Sequence, residues 1–281
     1  MITALSRRTK LQYLTLLKRK NILIGRCEND TSSVIINSFP KSGTHLLLQI
    51  IEPFPKLKNY GFFIASTPSR PHKVRNEEKH YQLISNIIPG ELVTGHLFYS
   101  EKYAKLLTEK DVIQNFVYRD LRDVVVSEVF YLTYMNKWHH LHSFFAHQLQ
   151  NDHERIKAAI TGIESNDFYY PDICSRWKNY SGWLNNDQVF SVKYEGLISE
   201  NKTEIIRNMI GYYQQKTSLV INENKVLKDC LNAINPEKSH TFREGGSANW
   251  KKHFTQEHKI LFKEIAGELL IELGYEVDLD W

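Results

Sequence analysis

Apolar positions along the chain switch between two periods, and the switches mark its elements. Val34-Ile35-Ile36 is a short β-branched run that reads as a buried strand, and Leu46-Leu47-Leu48 with Ile50 and Ile51 reads as a buried helix. Three more strands are predicted at Leu92–Thr94, Val112–Tyr118 and Gln188–Glu195. Helical spacing appears between them. It runs over Glu77–Ile88 (Tyr81, Ile84, Ile87, stopped by Pro89-Gly90), Ser100–Leu107, Asp152–Thr161 and Asp172–Leu184. Further helices are expected after the Gln188–Glu195 strand, through about Tyr213, and over Gln256–Leu273. Trp177, Tyr180 and Trp183 are core candidates. Pro53–Arg75 reads as irregular, with turn chemistry at Ser66-Thr67-Pro68-Ser69-Arg70-Pro71. Buried strands alternating with helices predict an α/β fold with a central parallel sheet flanked by helices, in a single domain spanning 1–281.

Composition narrows this picture only a little. A chain of 281 residues with 42% hydrophobic and 12% aromatic residues can build a substantial core. A net charge of +4 suits an anionic ligand and calls for no nucleic-acid partner. Cys27, Cys174 and Cys230 are widely spaced and odd in number, which points to reduced thiols rather than a disulfide framework. Residues 1–30 form a basic helical extension, with Arg7, Arg8, Lys10, Lys18, Arg19 and Lys20 around Leu11, Leu14, Leu16 and Leu17. The apolar part is too short and interrupted for a transmembrane segment, which needs about 20 apolar residues. It suits a helix packed on the domain's own surface or one touching a membrane surface.

The chemistry begins after the first strand. Phe39-Pro40-Lys41-Ser42-Gly43-Thr44-His45 joins that strand to a helix N-terminus, where unpaired N–H groups and the helix dipole favour an anion. Gly43 lets the backbone approach a ligand, Lys41 adds a charge, and Ser42 and Thr44 add hydroxyls. The nucleoside-triphosphate loop G-x-x-x-x-G-K-[ST] places lysine after its second glycine, whereas Lys41 precedes Gly43. Pro-Lys-Ser-Gly-Thr resembles instead the 5′-phosphosulfate loop of sulfotransferases that use 3′-phosphoadenylyl sulfate (PAPS).

Three later stretches extend the resemblance. Thr94-Gly95-His96-Leu97, at the end of the second strand, resembles the family segment carrying the general base. Arg119-Asp120-Leu121-Arg122-Asp123, continuing to Ser127, resembles the 3′-phosphate motif R-D-P-R-D-x-x-x-S, with Leu121 in place of proline. Arg119 can fork onto phosphate oxygens, and Arg122 and Asp123 are expected to pair or cap locally. Phe242-Arg243-Glu244-Gly245-Gly246 through Trp250 to Thr255 resembles the C-terminal loop R-K-G-x-x-G-x-W-K-x-H-F-T that closes over the nucleotide. Glu244 replaces a lysine there, and a carboxylate beside a phosphate is expected to weaken donor binding. Tyr194 resembles the tyrosine near the adenine, while Leu46 stands where the family often stacks tryptophan on that base.

The resemblance implies a P-loop-type fold with a motif-bearing core over 34–260 and a cytosolic-type, cytoplasmic enzyme. It implies sulfuryl transfer from PAPS to a hydroxyl or amine of a small-molecule acceptor, leaving PAP, with no metal required. His96 would act as base and Lys41 would stabilise the leaving phosphate. Ser127 would hold Lys41 until the acceptor arrives. Lys41, Ser42, Gly43, Thr44, His45, Arg119, Ser127, Tyr194, Arg243, Glu244 and Gly245 would bind the donor. The alternatives are a P-loop kinase or nucleotide hydrolase and a non-catalytic nucleotide-binding protein. The histidines at 139, 140, 142, 147 and 153 admit a metal site, but the aromatics around them favour a lid or acceptor wall. Oligomeric state and acceptor identity stay open.

Overall fold

A computed structural model describes residues 2–23, 31–69, 75–164, 168–235, 237 and 246–281. The chain runs α1 (Ile2–Leu23), β1 (Ser33–Ser38), α2 (Thr44–Ile51), β2 (Lys58–Ala65), α3 (Glu77–Ser85), β3 (Glu91–His96), α4 (Glu101–Glu109), β4 (Val112–Tyr118) and α5 (Leu121–Phe130). It continues through α6 (Asp152–Thr161), a two-residue antiparallel pair β5 (Ile163–Glu164) and β6 (Tyr169–Tyr170), α7 (Ile173–Leu184) and β7 (Val189–Lys193). Last come α8 (Tyr194–Ile198), α9 (Lys202–Thr217), α10 (Glu223–Ala233) and α11 (Gln256–Glu272).

The five long strands form one parallel sheet in the order β2-β3-β1-β4-β7. Side chains of a strand alternate between faces, so neighbouring apolar residues serve two different cores. Val34 and Ile36 pack with α2 and with α8 to α10, while Ile35 packs with Phe116, Trp177, Tyr180 and Phe262 on the other side. From β1 the chain moves out to β2 and returns through β3, then crosses to β4 on the opposite side of β1. The strand order therefore diverges at β1, and a crevice opens at the C-terminal ends of β1, β3 and β4, where α/β sheets bind ligands.

The sheet has one strand more than the four read from the sequence. Residues 58–65 are the edge strand β2, not irregular chain. A register shift between Asn59 and Phe63 and a left-handed Gly61 (φ 72°) break its alternation, which hides it from a period-2 reading. Leu11 and Leu14 of α1 lie against Gly61, so the helix covers this edge. Asn21 Nδ2 donates to Tyr60 Oη at 2.8 Å, and Lys18 Nζ reaches Glu91 Oε2 at 2.6 Å. The domain-surface position expected for the N-terminal helix is the one observed. A second addition is α10, in a stretch with no sequence-based assignment.

Glu91 is fully buried at the start of β3, and it is held by Lys18 and the Ile88 N–H. Burial raises its pKa above the ordinary carboxylate value, against the pull of Lys18. Lys18→Met therefore leaves a buried charge without its cation and should destabilise the fold by roughly 3 kcal/mol at neutral pH, read by urea unfolding. A carboxyl with a raised folded pKa costs least stability below its unfolded pKa, so the gap to wild type should narrow in acid. An unchanged midpoint at pH 7 would show that α1 is not anchored by this pair.

Among the described residues no helix is long and apolar enough to cross a membrane.

Candidate active site

The loop after β1 is shaped by two residues in left-handed conformation, Lys41 (φ 67°) and Gly43 (φ 100°). Gly43 is also pressed by a neighbour, because a Cβ on it would stand 2.5 Å from Cδ2 of Tyr194. Glycine is required here on both counts. Ser42 Oγ is buried and has no hydrogen-bond partner among the described residues. Thr44 Oγ1 is 2.6 Å from Ser38 Oγ, so its hydroxyl is already engaged with the end of β1. His45 is exposed at the first turn of α2, and Leu46 packs partly buried on the second core.

His96 ends β3, beside β1. Its Nδ1 lies 3.1 Å from the Ser38 carbonyl oxygen and 2.9 Å from Ser38 Oγ. A carbonyl oxygen only accepts, so Nδ1 carries the proton and Nε2 keeps a lone pair. Loss of hydration inside the crevice pushes the pKa down to about 4; the Ser38 carbonyl bond opposes this, and the charges of Lys41 and His45 add to the fall. The imidazole is therefore neutral across the physiological range. Asn37 fixes the chain on its far side, accepting from Leu97 N at 2.8 Å and donating to Leu97 O at 2.9 Å. Trp183 Nε1 donates to the same carbonyl at 2.8 Å. Phe63 of β2 meets the His96 ring edge-on at 5.1 Å.

Arg119 follows β4, and it is almost fully buried. Its Nη2 donates to Asp123 Oδ2 and to the Gly246 carbonyl, each at 3.0 Å, and its guanidinium lies 4.5 Å over the Tyr194 ring. Nε is buried without a partner among the described residues. Asp123 Oδ1 accepts Trp250 N–H at 2.8 Å, so one carboxylate ties the α5 start to the C-terminal loop. Asp120 caps α5 by accepting from Arg122 N at 2.9 Å. Arg122 itself pairs with Asp120 and Glu276 and lies between Trp250 (4.1 Å) and Trp281 (4.4 Å). The local, structural parts expected of Arg122 and Asp123 match these contacts. Leu121, in the proline position, is fully buried in the first core.

Tyr194 opens α8, with its ring wedged between Gly43 and Arg119. Glu195 accepts from Asp120 N and from Tyr275 Oη, both at 3.0 Å, and burial raises its pKa. Ser127 stands partly buried in α5, and one turn later Tyr131 places its ring 4.2 Å from Lys41 Nζ. Arg243, Glu244 and Gly245 lie outside the described residues. The loop that follows is anchored as its spacing predicts, with Trp250 and Phe254 buried and in edge contact at 5.6 Å.

The histidine-rich segment is organised turn rather than open loop. π-helical turns span Tyr131–Met135 and Phe144–Gln148. His140 N donates to Ser69 O at 3.0 Å, and His142 Nδ1 lies 2.7 Å from Leu132 O, while burial lowers the His139 pKa to about 4. Among the described residues no group of three His, Cys, Asp or Glu side chains is placed to hold a metal ion. Tyr134, Met135 and Trp138 stand exposed along this segment.

Sequence reasoning missed Asn37, Ser38 and Tyr131. The available signal was two polar residues closing an apolar strand, and an aromatic one helical turn after Ser127. Together the three strand ends carry two orphaned buried donors, Ser42 Oγ after β1 and Arg119 Nε after β4, and on the other side of β1 the neutral imidazole that ends β3. That donor set fits a ligand with two separated phosphate groups, as the sequence resemblance implies.

Comparison with known proteins shows the family and the fold. The sulfotransferase domain family matches residues 31–274. The fold resembles mouse sulfotransferase SULT7A1, solved with PAP, at a TM-score of 0.58 and 18% identity over 87% of this chain and 88% of that one. It also resembles retinol dehydratase, solved with androsterone and inactive cofactor PAP, at a TM-score of 0.54 and 14% identity over 85% and 80%. A second retinol dehydratase structure, with retinol and PAP, has a TM-score of 0.53 at 15% identity over 85% and 81%. No curated protein sequence matches the chain. A family match over most of the chain, on a central parallel sheet flanked by helices, makes this protein a member of the sulfotransferase family.

Proposed function

We propose that this crevice transfers the sulfuryl group of PAPS to a hydroxyl or amine of a small organic acceptor, with His96 as general base. The observation that carries the reading is the contact of His96 Nδ1 with the Ser38 carbonyl. The Nδ1–H is committed to that carbonyl, which leaves the Nε2 lone pair for an acceptor proton beside the Lys41 loop.

The donor supplies a sulfuryl group on a 5′-phosphate. The Lys41 loop and the start of α2 hold that phosphate end, and Arg119, with Tyr194 beneath it, holds the 3′-phosphate. His96 takes the acceptor proton as the acceptor oxygen or nitrogen bonds to sulfur and the sulfur–oxygen bond to the 5′-phosphate breaks. Lys41 neutralises charge growing on the departing oxygen, and PAP leaves. The chemistry is positioning and charge stabilisation, so no metal is called for. Structural neighbours solved with androsterone and retinol support a small organic acceptor. A cytosolic-type enzyme is the setting this reading implies.

The test is turnover of PAPS by the purified protein against a panel of phenols, alcohols and amines, with products identified by mass spectrometry. A sulfated acceptor formed only with PAPS is expected. PAP binding without transfer to any panel member would instead favour a non-catalytic nucleotide-binding role.

A further inference from the structure

Lys41 joins a fixed left-handed backbone to a long side chain. Its left-handed φ of 67° is fixed by the loop, but four rotatable bonds separate that backbone from the ammonium. A lysine that must meet one developing charge needs something to hold its tip. The structure places an aromatic face there, since Lys41 Nζ lies 4.2 Å from the centroid of the Tyr131 ring. Cation–ring attraction holds at this distance and strengthens as water is excluded.

Tyr131 is itself held from three sides. It begins the π-helical turn Tyr131–Met135, directly after α5, and such turns re-aim the side chains that follow a regular helix. Asn136 N donates to the Tyr131 carbonyl at 2.9 Å, and Asn136 Nδ2 donates to its hydroxyl at 2.7 Å. His139 adds an edge contact at 6.2 Å, and the neighbouring His140 is hydrogen-bonded to Ser69 across the crevice. The ring is thus braced by the segment that forms the acceptor wall.

We infer that Tyr131 is a positioning residue for sulfuryl transfer, which holds the Lys41 ammonium through its ring face and couples it to the acceptor wall. This role rests on the proposed function and goes beyond it, because the ring acts through Lys41 rather than on the acceptor.

Two measurements test it. The first needs no donor. Ring current should shift the Lys41 ε-methylene protons upfield in wild type and in Tyr131→Phe, and the shift should vanish in Tyr131→Leu. The second is kinetic. Tyr131→Leu should lower kcat about tenfold with little change in acceptor KM, and Tyr131→Phe should recover most of that loss. In a Lys41→Met background the Tyr131→Leu step should cost almost nothing, since the group it positions is gone. A loss of the same size in both backgrounds, or one confined to acceptor KM, would make Tyr131 acceptor wall only and overturn the role. An active wild type whose Lys41 shift is unperturbed would overturn it too. Wild-type protein with no PAPS-dependent transfer would overturn the reading of the site itself.

Discussion

His96→Ala is expected to abolish transfer, by about 10²–10⁴-fold in kcat, while PAP binds within about threefold of wild type. The imidazole is bonded to the end of β1 from the β3 side, away from Arg119 on β4, so its loss removes a proton acceptor and little donor contact. The same residue sets the acid limb of the pH profile. A base works when unprotonated, so kcat/KM should fall as pH drops through about 4, not through the ordinary histidine value of 6.5. Isothermal titration with PAP and a pH series of initial rates check both statements. A variant that keeps full turnover would remove His96 from the chemistry, and an acid limb near 6.5 would show that hydration reaches the ring.

Arg119→Met should have two separable effects. Donor affinity should fall by roughly 100-fold, because two charge-assisted hydrogen bonds to a phosphate are worth about 3 kcal/mol together. Stability should also fall, by about 3–5 kcal/mol, because Asp123 is fully buried and loses its cation. Adding Asp123→Asn separates them. The double variant keeps an acceptor for Trp250 N–H, removes the unpaired charge and should regain most of the unfolding midpoint without regaining PAP affinity. Restored affinity in the double variant would mean that Arg119 acts only as a brace for the C-terminal loop.

Much of this site was legible because parallel strands buried on both faces leave unmistakable apolar runs, and the residues after each run must face the crevice. Val112–Tyr118 and Asp152–Thr161 have the boundaries their patterns predict. The loop at Lys41, His96 at a strand end and Arg119 at a helix start were readable for the same reason. Other features were not. β2 is bulged and lies at an edge, so its alternation fails and its burial comes from α1, far away in sequence. The Trp250–Arg122–Trp281 stack joins residues from three distant parts of the chain, and no local period announces it. Tyr131 belongs to none of the sequence motifs, yet its ring faces the lysine of the loop.

By itself, the sequence determined which residue types end each strand and hence the two candidate anion corners and the candidate base. Local chemistry is enough for that, since an apolar run, a left-handed glycine and a helix start each depend on a few neighbouring residues. Tertiary structure alone decided the protonation and aim of those groups. The His96 lone pair follows from a carbonyl on the adjacent strand and its low pKa from lost hydration, and the lysine tip meets a ring from the turn after α5. Each of these is a through-space effect between segments tens of residues apart, and only packing the sheet brings such partners into contact.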